Sequence, residues 1–254
     1  MASASVATRR AIALSFADKK KTTADADADA ATATSISTNT LGPELTPSPP
    51  PPPHLSSRYI IASPYPDHLL DLATLDPQTQ QLARALAVLD KTRDDYATAP
   101  YVDSFNFSTV VDELRRLYRT KAPGAPEASP ARWTRRDYFV VAFRSQIPHT
   151  TAYSDLSSLD KAAHREANDS GGLLRYWFDV PDADGRNLAT CVWRRPADAH
   201  EAGHGVQHLR ASGLVRALYT EWRIERYRLV IDDDLRSWEV VEWKDEVEEE
   251  AGVE

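Results

Sequence analysis

The chain has 254 residues, a formal net charge of −8 and a single cysteine. A negative charge balance excludes the concentrated basic face that nucleic acids and anionic membranes require, so neither is an expected partner. One cysteine closes no disulfide within the chain and builds no cysteine-based zinc site, which fits a reducing compartment. The chain contains no run of about 18 apolar residues, the length that a membrane-spanning helix needs. We therefore expect a soluble, cytoplasmic protein.

Residues 1–56 predict a disordered, low-complexity segment that ends in a proline-rich linker. Residues 22–40 are mostly Ala, Asp and Thr, and residues 49–53 are five consecutive prolines. Such a segment buries too little apolar surface to offset its ordering entropy, and the prolines favour an extended polyproline II conformation. Residues 1–17 contain Arg9 and Arg10 but no acidic residue, so a mitochondrial presequence remains an alternative to a disordered terminus.

Residues 57–130 predict a helical N-terminal segment. Asp76 and Pro77 are typical of an N-cap and a first helical residue, and their helix is expected to reach about Asp90. A second helix is expected from about Ser108, and residues 121–130 predict a loop. Apolar residues recur at helical spacing in both helices, at Leu82, Leu86, Leu89, Val110, Val111, Leu114, Leu117 and Tyr118.

Residues 131–245 predict an α+β domain with the ferredoxin-like order βαββαβ and one further strand. One helix is expected between the first two strands, where Ser157 and Asp160 predict a capping box, and another after Pro196. Residues 246–254 predict an acidic, solvated tail. The strands are expected at about residues 135–144, 173–178, 186–195, 222–231 and 238–243.

The strand predicted at residues 186–195 is mostly apolar on both faces. Leu188, Thr190 and Val192 alternate with Ala189, Cys191 and Trp193, and Cys191 is predicted to be a buried apolar side chain. Because the helices of a ferredoxin-like unit cover only one face of its sheet, a second cover is required. Either the helices of residues 57–130 supply it, or the sheet of a second subunit does, which would make a homodimer.

Three stretches resemble an uncharacterised fungal protein family, and the resemblance spans about residues 58–243. They are GRNLATCVWRRPADA at residues 185–199, YTEWRIERYRLVI at 219–231 and WEVVEW at 238–243. The strand order also resembles that of the dimeric α+β barrels, the group that contains the antibiotic-biosynthesis monooxygenases. This resemblance implies two facing sheets around a small-molecule cavity. No catalytic motif of the group maps onto this chain, so its cofactor-free oxygenation remains an analogy.

Basic and aromatic side chains on the strands predict a ligand site. Guanidinium groups beside aromatic rings suit an anionic or aromatic small molecule, although arginines on edge strands also prevent pairing with other chains. No P-loop or dinucleotide fingerprint occurs, so no cofactor is expected. The predicted ligand-binding residues are Tyr138, Arg144, Arg175, Trp177, Trp193, Arg226 and Arg228.

The motif HEAGH matches H-E-x-x-H, with His200 and His204 as zinc ligands and Glu201 as the base. The helix after Pro196 has its apolar stripe at Ala199, Ala202, Val206, Leu209 and Gly213, which would turn His200, His204 and His208 to solvent. An unbroken helix also places His208 too far away to be the third ligand, so Glu221 or Glu225 would be needed. We therefore expect no metal, and keep this site as an alternative.

The sequence thus predicts a protein that binds or transforms a small apolar or aromatic acid in a pocket on its sheet. Whether it catalyses a reaction, and through which residues, stays open. One alternative is a non-catalytic interaction module that uses the proline-rich linker and the sheet. The other is a zinc hydrolase built on HEAGH.

Overall fold

The computed structural model describes residues 58–120, 132–151 and 153–244. The predicted disordered segment and linker, the loop at residues 121–130 and the acidic tail lie outside these ranges. The N-terminal elements are β1 (Tyr59–Ile61), β2 (Leu69–Asp71), α1 (Pro77–Ala85), α2 (Tyr101–Ser104) and α3 (Phe107–Thr120). The remaining elements are β3 (Arg136–Gln146), α4 (Tyr153–Ser170), β4 (Leu173–Trp177), β5 (Arg186–Trp193), α5 (Pro196–Gly203), α6 (Val206–Leu218), β6 (Glu221–Ile231) and β7 (Trp238–Glu242).

The main sheet has the order β4-β5-β3-β6-β7, and every neighbouring pair is antiparallel. Without β7, this is the sheet of a ferredoxin-like unit, so the predicted α+β fold is confirmed. The further strand, β7, pairs with the C-terminal half of β6 from Tyr227 to Ile231, so β6 forms the edge of the sheet only in its N-terminal half.

One face of the sheet, here called the α1/α3 face, is covered by the N-terminal helices. Tyr138, Val140 and Ala142 of β3 share a buried core with Leu82 of α1 and Leu114 of α3. Of the two covers that the sequence left open, the helices of the same chain are therefore the one observed. They occupy the face across which a second sheet was expected to pack.

The other face, here called the α4–α6 face, is covered by α4, α5 and α6. Phe139, Val141 and Phe143 of β3 form a second core with Ala167 of α4 and Ala199 of α5. These three β3 residues alternate with those of the first core, so a single strand supplies the centre of both. Within the described ranges, no helix is long and apolar enough to cross a membrane.

The start of α1 confirms the predicted cap. The Asp76 carboxylate accepts hydrogen bonds from the backbone N–H groups of Gln78 and Thr79, and Pro77 is the first helical residue. The helix is shorter than expected. It ends at Ala85, and a 3₁₀ turn (Leu86–Val88) continues it.

The predicted capping box at Ser157 and Asp160 is wrong. Helix α4 begins at Tyr153, so Asp160 lies in the interior of the helix, where it is only 1% exposed. The carboxylate accepts hydrogen bonds from the hydroxyl groups of Tyr65 and Tyr176, which lie outside α4.

The single helix predicted after Pro196 is in fact two helices, which keeps the predicted burial in the first helix and reverses it in the second. Helix α5 ends at Gly203 and α6 begins at Val206. The break changes the phase of the second helix, so Val206 is 72% exposed and Leu209 46% exposed, whereas His208 is 4% exposed.

Glu166 of α4 stabilises this break. Its carboxylate accepts hydrogen bonds from the backbone N–H groups of Gln207 and His208 at 3.0 Å, in the first turn of α6. A Cβ atom at Gly205 would lie 2.2 Å from Oε2 of Glu166. A side chain at this position would therefore displace the Glu166 carboxylate from the start of α6.

Leu114→Ala should lower the free energy of unfolding by about 3 kcal/mol, because Leu114 is fully buried between α3 and the sheet. The matched control is Leu209→Ala in α6, where the side chain is 46% exposed and the loss should stay below about 1 kcal/mol. Urea unfolding measures both values, and equal losses would contradict the described cover.

Candidate functional site

The structure divides the seven predicted ligand-binding residues between the two faces of the sheet. The strand register places four on the α1/α3 face, namely Tyr138, Arg144, Arg175 and Trp177. It places the other three on the α4–α6 face, namely Trp193, Arg226 and Arg228. The two groups are separated by the sheet itself, so the set is not brought together.

The arginines nearest the middle of the sheet make structural contacts. Arg144 donates hydrogen bonds to the carbonyl oxygens of Ala97 at 2.6 Å and Ala99 at 2.7 Å, and to Glu225 at 2.9 Å. It therefore fixes the loop before α2 to the sheet. On the opposite face, the Arg228 guanidinium lies 4.7 Å from the centre of the Trp243 ring, a cation–π contact.

A hollow lies between the α4–α6 face and the helices that cover it. Small residues on those helices leave the gap, among them Ala167, Ala199 and Gly203. Of the seven predicted residues, all of them described, Trp193 is the one in the lining. The apolar wall on the sheet side consists of Val141, Phe143, Leu173 and Trp193.

The hollow is almost closed. The gap between the lining atoms is about 370 Å³ including its mouth, but only about 20 Å³ of it admits the centre of a water molecule. That space holds about one water. A larger molecule fits only when part of the wall moves.

Ionisable side chains converge on the hollow from several elements. Asp160 and His164 come from successive turns of α4, His208 comes from α6, and Tyr176 and Cys191 come from the sheet. Each of the five is less than 9% exposed. A concave apolar site with a few buried polar groups is the usual form of a ligand-binding or catalytic pocket.

Asp160 is held by two phenols. The Tyr65 hydroxyl donates to Oδ2 at 2.5 Å, and the Tyr176 hydroxyl donates to Oδ1 at 2.8 Å. Burial and the negative charge of Asp160 raise the pKa of both tyrosines well above the usual value. The tyrosines therefore remain hydrogen-bond donors, and the carboxylate is positioned as an acceptor.

His164 and His68 share a hydrogen bond between their rings. The two Nδ1 atoms are 2.7 Å apart, and the rings stack with centroids 4.9 Å apart. One Nδ1 must carry the proton and the other must accept it, so two imidazolium rings cannot make this contact. Burial lowers the pKa of His164 to about 3, with His68 as the next cause, and burial also lowers the pKa of His68. Both rings are neutral at pH 7.

His208 is linked to the carboxylate that caps its own helix. Its Nδ1 lies 3.3 Å from Oε2 of Glu166. Burial lowers the pKa of His208, and the nearby Glu166 charge only partly opposes this effect. The Cys191 thiol, on the sheet side of the hollow, has a pKa raised by burial and then by the Asp160 charge. It is protonated at neutral pH, which is the state of an inert buried cysteine.

The sequence prediction missed Asp160 and His164 as site residues. A signal was present, because Leu156, Asp160, Ala163, His164 and Ala167 recur at the spacing of one helix face, and the whole face is buried. Two ionisable residues on an otherwise apolar stripe indicate a polar site inside the protein. The wrong capping box concealed this pattern, because it assigned Asp160 to the end of the helix.

The HEAGH residues do not form a metal site in the described structure. His200, Glu201 and His204 are exposed, and His204 lies just beyond the end of α5. Its Nδ1 is 2.7 Å from the carbonyl oxygen of His200. The two carboxylates considered as a third ligand bind arginines, Glu221 with Arg186 and Glu225 with Arg144. In the described ranges, no group of three or more His, Cys, Asp or Glu residues is placed to hold a metal ion.

His164→Gln should make stability depend less steeply on pH between about 6 and 4. The unfolded chain binds a proton at this histidine below about pH 6.5, whereas the folded protein stays neutral there down to about pH 3. The wild type therefore loses stability as the pH falls through this window, by up to about 1.4 kcal/mol per pH unit from this group. Urea unfolding at several pH values measures the slope. His149→Gln, at an exposed position, is the control and should match the wild type.

Comparison with known proteins finds solved structures that are similar to about a third of this chain, and one family. SnoaB, a cofactor-independent oxygenase from Streptomyces nogalater, is 17% identical with a TM-score of 0.31, over 36% of this chain and 91% of that one. Rv0793 from Mycobacterium tuberculosis is 17% identical with a TM-score of 0.32, over 35% of this chain and 91% of that one.

The UPF0643 protein PB2B2.08 of Schizosaccharomyces pombe is 35% identical over 184 residues, which are 69% of this chain and 80% of the relative. The model of the PB2B2.08-like family matches residues 61–242. The resemblance to an uncharacterised fungal family is thereby confirmed, and the chain belongs to the PB2B2.08-like family.

Proposed function

We propose that the protein binds a small, neutral aromatic molecule in the hollow between the α4–α6 face and its helices. One observation carries this proposal. Asp160, His164 and His208 converge on an otherwise apolar, nearly closed hollow. Buried ionisable groups with shifted pKa values cluster at functional sites, so their collection in one place favours a function over a role in packing alone.

The charges of the lining favour a neutral ligand over the acid that the sequence predicted. The described lining contains the Asp160 carboxylate but no lysine or arginine. The pKa values of His164 and His208 are lowered by burial, so neither ring supplies a positive charge at pH 7. An anionic ligand would meet the buried Asp160 carboxylate with no lysine or arginine of the described lining to offset the repulsion, which costs several kcal/mol.

The polar groups also indicate how a ligand would be oriented. Asp160 is an acceptor, so it suits a hydroxyl or N–H group on the ligand. The rings of Tyr176, Trp193 and Phe143 supply flat apolar surface for the rest of the molecule. A carboxylate that accepts a hydrogen bond from a ligand also has the position of a general base. The hollow therefore suits binding, and a proton transfer if the ligand carries an acidic proton.

The proposal is tested with 2-naphthol, a neutral aromatic molecule with one hydroxyl, and with 2-naphthoate, its anionic counterpart. At pH 7, 2-naphthol should raise the midpoint of thermal unfolding and 2-naphthoate should not, because the described lining has no lysine or arginine to pair with its carboxylate. A ligand at 100 times its Kd stabilises the folded state by about 2.7 kcal/mol. Thermal unfolding over a concentration series measures the effect.

Two variants locate the binding site. Ala167→Leu places a larger side chain in the hollow and should weaken 2-naphthol binding by about tenfold or more, after correction for its own stability. The double variant Arg226→Ala, Arg228→Ala should leave binding unchanged, because neither arginine is in the lining. If the arginine variant loses binding while Ala167→Leu binds normally, the binding site is at the residues that the sequence predicted and not in the hollow.

A further inference from the structure

The loop between β1 and β2 lies behind one wall of the hollow, where it contacts the lining residues Asp160 and His164. Strands β1 and β2 pair from Tyr59 to Ile61, with Ile61 opposite Leu69, so residues 62–68 form a compact loop whose two ends lie side by side. These residues are here called the lid segment. Its base is attached to the domain at both ends, because the carbonyl oxygen of Ala62 accepts from the Tyr176 N–H and that of Leu69 accepts from Asn168, each at 2.9 Å.

The lid segment contacts α4 through the side chains of Tyr65 and His68, each of which makes one hydrogen bond. The Tyr65 hydroxyl donates to Asp160 at 2.5 Å, and the His68 ring is bonded to His164 at 2.7 Å. The Tyr65 ring packs against the rings of His164 and Phe178, with centroids 5.2 and 5.9 Å apart. Both α4 partners are lining residues of the hollow.

The outer side of the lid segment faces a second hollow, which is open to solvent. Its volume is about 280 Å³, and His68, Asp67 and Arg165 are among its lining residues. His68 therefore lies on the wall of the outer hollow while its ring stacks on His164, which lines the inner one. One pair of stacked rings, with Tyr65 beside it, separates the two spaces.

We propose that residues 62–68 are a lid, and that ligands pass from the outer to the inner hollow when Tyr65 and His68 swing away from α4. The inference rests on the proposed function and adds the route of entry. It explains how an inner space that admits one water could receive an aromatic molecule. Opening also releases Oδ2 of Asp160 from the Tyr65 hydroxyl, while Tyr176 still holds Oδ1. The ligand's own donor then replaces that of Tyr65.

The contacts at the tip are suited to reversible opening. The outer rim is held by ion pairs of Asp67 with Lys161 at 3.0 Å and with Arg165 at 3.2 Å, and all three side chains are about half exposed. Exposed ion pairs add little stability. The base is fixed by backbone pairing, whereas Tyr65 and His68 contact α4 through side chains, so a hinge at the base would break these side-chain contacts and keep the strand pairing.

The reactivity of the Cys191 thiol can be used to measure this opening. It is the only cysteine in the chain, lines the inner hollow and is 3% exposed. Its rate of reaction with methyl methanethiosulfonate, a small neutral thiol reagent, therefore measures how often the inner hollow opens. No ligand is needed, so the measurement is independent of the proposed function.

Tyr65→Phe removes the hydrogen bond to Asp160 and should raise the rate of Cys191 modification by about tenfold, the usual effect of a lost bond to a charged group. His68→Leu removes the bond to His164 and should act in the same direction. The matched control is Tyr96→Phe. Tyr96 is also a buried tyrosine, whose hydroxyl donates to Asn187 at 2.8 Å, but it lies under the α1/α3 face, and its variant should react at the wild-type rate.

Rates are measured without urea and in urea well below the unfolding transition. If the rate of Cys191 modification is higher in Tyr65→Phe than in the wild type, and does not change in low urea, the result supports a local lid. Equal acceleration in Tyr65→Phe and Tyr96→Phe, or no acceleration in either lid variant, would overturn it. If the lid variants accelerate the reaction but 2-naphthol does not bind, the proposed function fails and the lid stands. If 2-naphthol binds while the lid variants have no effect, the ligand enters elsewhere.

Discussion

Strand β3 must be covered on both sides, and the remaining architecture follows from this constraint. Tyr138, Val140 and Ala142 point to one side, and Phe139, Val141 and Phe143 point to the other, all with less than 9% of their surface exposed. Burying six such side chains is a large part of what stabilises a domain of this size, since each of the larger ones contributes about 2 kcal/mol. A ferredoxin-like unit supplies helices for one side only, so the N-terminal segment supplies the other.

The two faces of the sheet are covered by different kinds of side chain. The α1/α3 side is filled mainly by leucines, valines and aromatic rings, and its arginines bind carbonyl oxygens and carboxylates of the same chain. The α4–α6 side contains small helix residues, a gap, and the buried Asp160 with its histidine neighbours. Cores are normally packed without gaps. A gap that is lined by ionisable groups is therefore the feature that separates a functional side from a structural one.

The sequence predicts this fold well where the signal is local. The strand predicted at residues 186–195 begins where β5 begins and runs two residues past its end, and Asp76 with Pro77 marked the start of α1 correctly. It fails where the cause is distant. Asp160 is bonded to Tyr65, 95 residues away, and the break before Val206 depends on a carboxylate from α4. Alternation along a strand also cannot show which residues of different strands share a face, because that depends on the register. The arginine and tryptophan site was proposed without this information.

The N-terminal segment extends around the β4 edge of the sheet, and this has a consequence for how the chain folds during synthesis. Residues 58–120 leave the ribosome before the strands on which they pack, and the bond between Ala62 and Tyr176 joins residues more than a hundred positions apart. Contacts of such long sequence separation slow folding. The apolar faces of α1 and α3 therefore stay uncovered until the sheet has formed, and during that interval they are natural targets for chaperones.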